Sequence, residues 1–576
     1  MSKKRIGIAA SDGISIAKAY LFKEPKLTFD RIKIKDATIE KSRFHKAVLA
    51  TKKELHVIRQ STLEKMGEGE AAIFDAHQML LTDPELLKDI ERMIEKEYWN
   101  AETALWETTE EFIHIFESME DNDYMKERAT DIRDVRKRLL AQLLGVSYPD
   151  PSTIQEKVIL IADDLTPSDT ALLDKEYIQA FVTSKGGSTS HTAIMARSLE
   201  IPAVVGMKEE LHDIKNGDIL IVDGTSGSIW VNPSEEDIAH YQSIQVENQQ
   251  IRLEWHKLLN EPSITQDGKQ VELAANIGSL EDLKSAKENG AESIGLFRTE
   301  FIYMNATELP DEESQFDIYK EALGEMEGKS VIVRTMDVGG DKVLPYLNLP
   351  KELNPFLGYR AIRMSIEESD VFRTQLRALL RASAYGKLGI MFPMIATLEE
   401  LKQAKAILTA EKALLLSKGI DVSEDIEIGI MIETPAAALL ADYLAKEVDF
   451  FSIGTNDLIQ YTMAADRLNE RVSYLYQPYH PAILRLVKQV IDAGHKEGKW
   501  VGMCGEMAGD PIAVPLLVGM GLDEYSMSAT SILKTRAQLK KLDSKKMKEI
   551  AHRALYDCAT NHEVRELVKK ELLLEN

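Results

Sequence analysis

Polar side chains suited to phosphate and metal chemistry stand near the ends of apolar runs in the C-terminal half of the chain. Four arginines and two acids occupy these positions or the segments just after them: Arg298, Arg334, Arg360, Arg467, Glu433 and Asp457. Guanidinium groups bind phosphate and carboxylate oxygens through paired N–H donors. Carboxylates are hard oxygen ligands of the kind that Mg²⁺ prefers. The set therefore predicts an anion site that also holds a divalent metal ion.

Each of these residues also has a purely structural interpretation. A single arginine is most often a surface charge, and Glu433 or Asp457 could cap the helix that follows it. Cys504, in the segment 502–506, could be a small buried apolar side chain. The functional interpretation depends on several strand ends carrying the same kind of polar residue.

A second chemical segment, residues 185–197, has a glycine pair, three hydroxyl residues and then His191. Thr189 or Ser190 could cap a helix that holds His191 in its first turn, where free N–H groups and the helix dipole favour a negative group. Because imidazole is a competent nucleophile, the segment predicts a histidine that carries a phosphoryl group. The alternatives are a packed histidine or a metal ligand, although positions 194 and 195 are Ile and Met rather than further ligands.

The C-terminal residues 263–576 alternate short apolar runs with helical patterns. Eight runs read as strands: Val271–Ala275, Ser293–Phe297, Val331–Thr335, Ile390–Met394, Ile426–Ile432, Phe450–Ile453, Trp500–Met503 and Glu524–Met527. Eight strands over this length predict a (β/α)₈ barrel, with an open doubly wound sheet as the alternative. Residues just past the carboxyl ends of barrel strands line one face, so the arginines and acids would converge there.

The N-terminal half is predicted to contain an α/β domain with a helical insertion. Residues 1–22 and 146–233 carry short strand patterns and are each too short to fold alone, so we expect them to form one domain. Residues 23–145 are charged and helical, which predicts an inserted helical bundle. Residues 234–262 are helical and polar, which indicates a linker between the two halves.

The composition limits the classes of partner that the protein can bind and indicates its cellular compartment. The formal net charge of −24 disfavours nucleic acid and anionic membrane surfaces and favours a basic protein partner. Two cysteines in 576 residues indicate a reducing, cytoplasmic setting rather than a disulfide framework. No uncharged apolar stretch of about 20 residues occurs, so no membrane insertion is expected.

Two segments carry a resemblance to a known family. Residues 186–191, followed by Ala193–Arg197, resemble the phosphohistidine signature of the phosphoenolpyruvate-utilising enzymes. Residues Asp449–Leu458 resemble their second signature. From end to end, the chain resembles the phosphoenolpyruvate-protein phosphotransferases, the enzyme I family of the bacterial sugar phosphotransferase system. The resemblance implies phosphoryl transfer from phosphoenolpyruvate to His191 and then to the histidine-containing phosphocarrier protein, with release of pyruvate, as the first step of sugar uptake.

The resemblance also implies roles for particular residues. Phosphoenolpyruvate would contact Arg298, Arg334, Asn456, Asp457 and Arg467, with Arg360 nearby. Glu433 and Asp457 would bind Mg²⁺, and Cys504 would protonate the enolpyruvate carbon. The helical insertion would dock the phosphocarrier through the stretch that contains Phe74, His77, Met79 and Leu80. The barrel domain would form a homodimer.

The chain departs from the family signature at one position and leaves two rival functions open. Ser188 stands where the family usually has arginine, which removes a cation beside the histidine. A pyruvate–phosphate dikinase or phosphoenolpyruvate synthase shares the histidine and barrel segments but needs an added ATP-binding domain, and no strong glycine-rich ATP loop is present. The non-catalytic rival is a regulatory protein that senses phosphoenolpyruvate or the phosphocarrier.

Overall fold

A computed structural model gives the fold as two compact units, residues Met1–Gln249 and Gln250–Asn576. The structure describes residues 3–22, 27–66, 68–118, 123–146, 151, 154–166, 169–170, 172–174, 176–187, 191–199, 201–304, 306, 308–340, 344, 346–347, 352–467 and 469–572. None of the helices in these ranges combines the length and the apolar character needed to cross a bilayer.

The first unit contains an eight-stranded mixed sheet. Its strands are β1 (Lys3–Ile6), β2 (Ile8–Ser11), β3 (Ile14–Phe22), β4 (Val158–Ala162), β5 (Ile178–Thr183), β6 (Ala203–Val205), β7 (Ile219–Asp223) and β8 (Ser228–Val231), in the order β1-β8-β7-β3-β4-β5-β6-β2. The central strands β3, β4, β5 and β6 pair in parallel. Every residue of β4 is buried, as expected of a strand covered on both faces. One sheet thus unites strands from both sides of the helical segment, and the predicted α/β domain is confirmed.

A helical bundle lies between β3 and β4 in the chain. Its helices are α1 (Ala37–Met66), α2 (Glu68–Leu81), α3 (Pro84–Glu97), α4 (Ala101–Ser118) and α5 (Asp123–Leu144). Phe44, Leu55 and Ile58 recur at helical spacing along α1, and all three are buried. Helix α3 begins at a proline whose preceding Asp83 accepts hydrogen bonds from the N–H groups of Glu85 and Leu86. The predicted inserted bundle is therefore present.

Two further helices complete the N-terminal segments. Helix α6 (His191–Leu199) follows the glycine pair, and α7 (Glu235–His256) follows β8. None of the residues of α7 is buried. A helix that buries no face is typical of a polar connecting segment, which is how residues 234–262 read in the sequence.

The second unit is a closed barrel of eight parallel strands. They are β9 (Glu272–Ile277), β10 (Ser293–Arg298), β11 (Val331–Arg334), β12 (Leu388–Phe392), β13 (Glu427–Ile432), β14 (Phe450–Ile453), β15 (Trp500–Met503) and β16 (Glu524–Met527), and β16 pairs with β9 to close the ring. The predicted barrel is confirmed, and closure excludes the open-sheet alternative. All eight predicted strands exist, and the largest boundary shifts are of two residues: β12 begins and ends two residues earlier than predicted, and β9 ends two residues later.

Helices surround the barrel and alternate with its strands. They are α8 (Leu280–Glu288), α9 (Glu300–Met304), α10 (Glu312–Glu325), α11 (Ile362–Glu367), α12 (Ser369–Ala382), α13 (Leu398–Ser417), α14 (Pro435–Leu439), α15 (Ala441–Leu444), α16 (Thr455–Met463), α17 (Pro481–Lys496), α18 (Ala513–Met520), α19 (Ala529–Leu539), α20 (Ser544–Tyr556) and α21 (Asn561–Leu572). The main core lies between these helices and the strands. A smaller apolar cluster fills the barrel interior.

Candidate active site

Arg334, the last residue of β11, is held by two acids at the mouth of the barrel. Its guanidinium lies 3.1 Å from Glu300 Oε2 and 3.2 Å from Asp337 Oδ2, and all three side chains are buried. Burial alone would lower the pKa of Arg334, but the charges of Glu300, Asp337 and Glu433 raise it above its ordinary value. The arginine is therefore a fixed cation rather than a surface charge.

Arg360 joins the same network from the segment before α11. Its Nε and Nη2 atoms donate to the two oxygens of Asp337 at 2.9 and 3.1 Å. Its Nη1 atom donates to Asp457 Oδ1 at 3.3 Å and to the Tyr461 hydroxyl at 3.1 Å. Burial would lower the pKa of Arg360, but Asp337 and Asp457 raise it. Asp337 therefore fixes two guanidinium groups at once.

Glu433 and Asp457 form the acidic part of the site. Glu433 follows β13 and is fully buried; the Met394 N–H donates to its Oε1 at 2.5 Å, and its Oε2 has no hydrogen-bond partner among the described residues. Burial, together with the charges of Asp457 and Asp337, raises the pKa of Glu433 to about 8. Neither acid caps a helix, because Thr434 caps α14 and Asp457 lies inside the first turn of α16.

The two acids fit a divalent cation. An orphaned buried carboxylate oxygen beside a second carboxylate is costly unless a positive charge compensates it. Within the part of the chain that the structure describes, no group of three or more His, Cys, Asp and Glu side chains suits a metal. A pair of protein oxygens is nevertheless what Mg²⁺ commonly uses, since it takes its remaining ligands from water and substrate phosphate.

Arg298, Arg467 and Asn456 lie around this network. Arg298 is the last residue of β10 and keeps contact with solvent. Desolvation by the neighbouring protein lowers the pKa of its guanidinium, and the charges of Arg334 and Arg467 lower it further. The guanidinium stays charged in any case, since its ordinary pKa is far above neutrality. Asn456 accepts a hydrogen bond from the Tyr476 hydroxyl at 2.9 Å, which orients its amide. The arginines thus share one region of positive charge.

Cys504 lies just past β15 and belongs to the apolar cluster of the barrel interior. Its side chain is buried, and its Sγ atom lies 3.9 Å from the carbonyl oxygen of Ile453. Burial raises the pKa of the Cys504 thiol to about 11, although Ser452 and Arg334 act in the opposite direction. At neutral pH the group is therefore a protonated thiol.

Contacts and charge effects link the predicted residues into one site. Asp457 contacts Arg360, and the charge on Glu433 acts on Arg334 and Cys504. Sequence reasoning assigned no role to Glu300 or Asp337. The available signal was their position, since Glu300 comes two residues after Arg298 and Asp337 follows β11 directly.

The histidine segment lies in the first unit. The helix predicted after the glycine pair begins at His191, so this residue is in its first turn. Ser188, Thr189 and Ser190 lie outside the described residues, as does the side chain of His191. The next residue, Thr192, donates from Oγ1 to the carbonyl of Leu165 at 3.3 Å and to Asp164 Oδ1 at 3.4 Å. The polar loop after β4 thus packs against the start of α6.

Comparison with known proteins agrees with this arrangement. Residues 252–544 match the family model described as the PEP-binding domain of PEP-utilising enzymes, residues 6–128 match their N-terminal domain, and residues 154–227 match their mobile domain. A phosphoenolpyruvate-protein phosphotransferase of Listeria monocytogenes is 59% identical over 570 residues, which cover 99% of each chain. The chain belongs to this family of phosphoenolpyruvate-utilising enzymes.

Two further comparisons give sequence identities of 60% and 44%. The phosphoenolpyruvate-protein phosphotransferase of Staphylococcus aureus is 60% identical over 569 residues, again covering 99% of each chain. An NMR solution structure of Enzyme I (nEIt) is 44% identical and covers 42% of this chain and 99% of its own, with a TM-score of 0.40. PEP-utilising enzymes use a divalent metal ion, and the paired acids at the barrel mouth suit that requirement.

The side chains predicted to contact a partner divide into buried and exposed groups. Phe74 and His77 have exposed fractions of 0% and 1%, because they face the interior of the helical bundle. The Nε2 atom of His77 lies 3.2 Å from Asp131 Oδ1. Met79 exposes 73% of its surface, and Leu80 is half-buried. Phe74 and His77 thus pack inside the bundle, and Met79 is the most exposed member of the predicted partner stretch.

Proposed function

We propose that this protein transfers the phosphoryl group of phosphoenolpyruvate to its own His191 and then to the histidine-containing phosphocarrier protein, releasing pyruvate. The observation that carries the proposal is the meeting of fixed arginines, two buried acids and a protonated thiol at one mouth of the barrel. Relatives that match nearly the whole chain carry the name phosphoenolpyruvate-protein phosphotransferase. The best account of the chain is therefore a phosphotransferase with a phosphohistidine intermediate.

The arginines are proposed to bind the anionic substrate. Arg298, Arg334 and Arg467 offer planar donors to the phosphate and carboxylate of phosphoenolpyruvate. Arg360 holds Asp457 and Asp337 in place and contributes positive charge nearby. Asn456 supplies an oriented amide. Because their contacts hold Arg334, Arg360 and Asn456 in place before substrate arrives, little reorganisation of these three side chains opposes binding.

We assign the metal ligands to Glu433 and Asp457 and the metal to Mg²⁺. Both acids follow barrel strands and are buried at the same mouth. When bound, Mg²⁺ would neutralise negative charge on the phosphoryl oxygens. Arg360 orients Asp457, since its Nη1 atom donates to that carboxylate at 3.3 Å. Hard carboxylate ligands with open positions for phosphate oxygens favour Mg²⁺ over softer ions.

The chemical step is in-line transfer followed by protonation of carbon. The neutral imidazole of His191 attacks phosphorus, and the bond from phosphorus to the enol oxygen breaks with its electron pair going to that oxygen. The resulting enolate takes the Cys504 proton at its methylene carbon, which gives pyruvate and a thiolate. The arginines stabilise the negative charge that moves from phosphate to enolate.

The remaining parts of the proposal concern the protein partner, the linker, the oligomeric state and the cellular location. The phosphocarrier is proposed to dock on the helical bundle near Met79 and Leu80, where a basic partner would suit a chain with a net charge of −24. The linker 234–262 is proposed to let His191 serve both the barrel and the carrier. The barrel is proposed to dimerise and the protein to act in the cytoplasm, at the first step of sugar uptake.

One assay tests the function directly. Purified chain and purified phosphocarrier are mixed with ³²P-phosphoenolpyruvate, with and without Mg²⁺, and both pyruvate and labelled carrier are measured. We expect both products to form only with Mg²⁺ and in equal amounts. Pyruvate phosphorylation that requires ATP would instead support a dikinase or synthase. Binding of phosphoenolpyruvate without any pyruvate would support a regulatory protein.

A further inference from the structure

Glu524 is a buried acid in the barrel interior to which the proposed reaction assigns no role. Tyr525 packs in the outer core between strands and helices, so its neighbour Glu524 points to the opposite, interior face of β16. Glu524 exposes 4% of its surface. The apolar side chains of Leu296, Met391, Met431, Ile332 and Phe450 form much of the interior wall. A carboxyl group in such a place requires a physical reason.

Two glycines make room for this carboxyl group. A Cβ atom built on Gly295 would lie 2.0 Å from Glu524 Oε1, and one built on Gly502 would lie 2.0 Å from Glu524 Oε2. Real atoms do not approach so closely, so any side chain at either glycine would displace the acid. The barrel therefore accommodates Glu524 specifically, between the strands β10 and β15.

Because Glu524 lies against Gly502, the geometry of β15 gives its position relative to the Cys504 thiol. Residues two apart on a strand point to the same face and are about 7 Å apart along it. Cys504 therefore stands on the interior face one step above Gly502, and Glu524 Oε2 lies beneath it along the barrel. Burial raises the pKa of the Cys504 thiol. The acid and the thiol thus share one stretch of the barrel interior.

Ser452 lies beside both groups. It pairs with Gly502 in the register of β14 and β15, and its hydroxyl is close enough to Cys504 to lower the pKa of the thiol, whose net shift is upward because of burial. Glu524 Oε2 makes no hydrogen bond with any residue that the structure describes, although the atom is fully enclosed. An enclosed polar atom without a partner is costly, so an acid in this state, on the same stretch of the barrel interior as a hydroxyl and a thiol, suggests a role in proton movement.

The protonation state suits a donor. Burial and the neighbouring charge of Glu272 raise the pKa of Glu524 well above its ordinary value, so the fold favours the protonated carboxyl group. No salt bridge to Glu524 occurs within the described ranges. Glu272 begins β9 beside Glu524 and is exposed, so water reaches this end of the barrel.

We propose that Glu524 returns a proton to Cys504, through the Ser452 hydroxyl, after each turnover. The inference rests on the proposed function, in which Cys504 gives its proton to the enolate. In the resetting step the thiolate sulfur takes the Ser452 hydroxyl proton, the Ser452 oxygen takes the Glu524 carboxyl proton, and the Glu524 carboxylate takes a proton from water. Each step breaks one O–H bond and forms one S–H or O–H bond, so no further reactant is needed.

An exchange experiment without any carrier isolates this step. The full-length protein is incubated with Mg²⁺, phosphoenolpyruvate and ¹⁴C-pyruvate in D₂O, and two rates are measured: the entry of ¹⁴C into phosphoenolpyruvate and the entry of deuterium into the methyl group of pyruvate. Entry of ¹⁴C into phosphoenolpyruvate requires only that Cys504 donate its proton to the enolate and take it back in the reverse reaction. Deuterium entry beyond the first turnover needs the thiol to exchange with solvent, which is the proposed work of Glu524.

The variant Glu524→Gln keeps the size of the side chain but cannot supply the proton. We expect its ¹⁴C exchange to stay within about twofold of the wild type and its deuterium entry to fall by about tenfold or more. Ser452→Ala should change the ratio of the two rates in the same direction, which keeps the test available if Glu524→Gln does not fold. The matched control is Glu272→Gln, which removes the neighbouring exposed acid and should leave the ratio near that of the wild type.

The possible outcomes separate the inference from the function on which it rests. A ratio of deuterium to ¹⁴C exchange that equals the wild-type value in both variants would overturn the proton path. Equal slowing of both rates would also overturn it, because that result indicates a structural role. Undiminished ¹⁴C exchange in Cys504→Ser would instead remove the proposed acid, and absence of ¹⁴C exchange in the wild type would remove the proposed reaction itself.

Discussion

At the scale of single residues, Asp337 organises the site because it accepts hydrogen bonds from two arginines. Arg360 donates to both of its oxygens, and Arg334 lies 3.2 Å from Oδ2. The backbone N–H of Asp337 in turn donates to Glu300 Oε1 at 3.0 Å. Buried charges are tolerated only when paired in this way. The network therefore fixes two cationic groups at the barrel mouth without leaving an uncompensated charge.

Glu433 is expected to destabilise the metal-free fold while being required for pyruvate formation. Its raised pKa means that ionising the group in the fold is unfavourable unless a cation binds. We predict that Glu433→Gln raises the melting temperature of the metal-free protein at pH 8 and abolishes the further rise that Mg²⁺ gives the wild type. Pyruvate formation should fall by about a hundredfold or more.

Melting curves with and without Mg²⁺ check this prediction, and Glu399→Gln, an exposed acid near the start of α13, is the control. The control should melt and respond to Mg²⁺ as the wild type does. A Glu433→Gln protein that Mg²⁺ still stabilises as strongly as the wild type would contradict the assignment of this ligand.

The residue types of the site could be predicted from sequence, but their pairing could not. Arg334, Glu433 and Asp457 stand out because each follows an apolar run. The direction in which a side chain turns after a strand depends on loop geometry, which spacing along one segment does not encode. Asp337 was therefore visible as a polar residue in a loop, while its contacts with Arg334 and Arg360 emerged only in three dimensions.

At the scale of elements, close approach between neighbouring loops positions the site. A Cβ atom built on Gly505 would lie 1.8 Å from Thr455 Oγ1 and 2.8 Å from its backbone nitrogen. The loop after β15, which carries Cys504, can therefore meet the start of α16, which carries Asp457, only if residue 505 is glycine. This contact brings the loop that carries Cys504 against the start of the helix that carries Asp457.

Arg536 on α19 anchors the chain that leads into the barrel. Its buried guanidinium donates to the carbonyls of Leu258 and Leu259 at 3.1 and 3.0 Å and to the carbonyl of Gly290 at 2.6 Å. We predict that Arg536→Ala lowers the free energy of unfolding of the barrel by about 2–4 kcal/mol, since three enclosed carbonyls lose a charged donor. Arg536→Lys should recover only part of this, because a single ammonium lacks the guanidinium fork.

Thermal unfolding measures this effect, and Arg553→Ala is the matched control. Arg553 is an exposed arginine on α20 that forms an ion pair with Glu571 at 2.6 Å. Surface pairs of this kind contribute little, so the control should melt at the wild-type temperature. Equal melting temperatures for Arg536→Ala and the control would show that the anchor is dispensable.

At the scale of the whole molecule, the architecture could be predicted from the sequence because each domain has its own pattern of apolar and polar residues. Fully buried parallel strands give continuous apolar runs, and these identified all eight barrel strands. The burial of the predicted partner stretch could not be inferred from its residue types. Phe74 and His77 are three residues apart on α2, so they share one helix face, and that face is turned into the bundle. Residue type alone did not distinguish a docking face from a packing face.

The division into two compact units makes a prediction about heat unfolding. Since α7 buries none of its residues between them, the full chain should show two calorimetric transitions. In the His191→Ala protein, which cannot turn phosphoenolpyruvate over, that ligand with Mg²⁺ should raise only the transition of residues 250–576. A single transition that shifts as a whole would contradict independent units.

The most direct measurement of the central claim is the site of phosphoryl transfer. The wild-type protein and the His191→Ala variant are incubated with ³²P-phosphoenolpyruvate and Mg²⁺, and the labelled peptide is located by digestion and mass spectrometry. We predict one acid-labile phosphoryl group per chain on His191 of the wild type and none on the variant. Label retained by His191→Ala, or found on another residue of the wild type, would contradict the account.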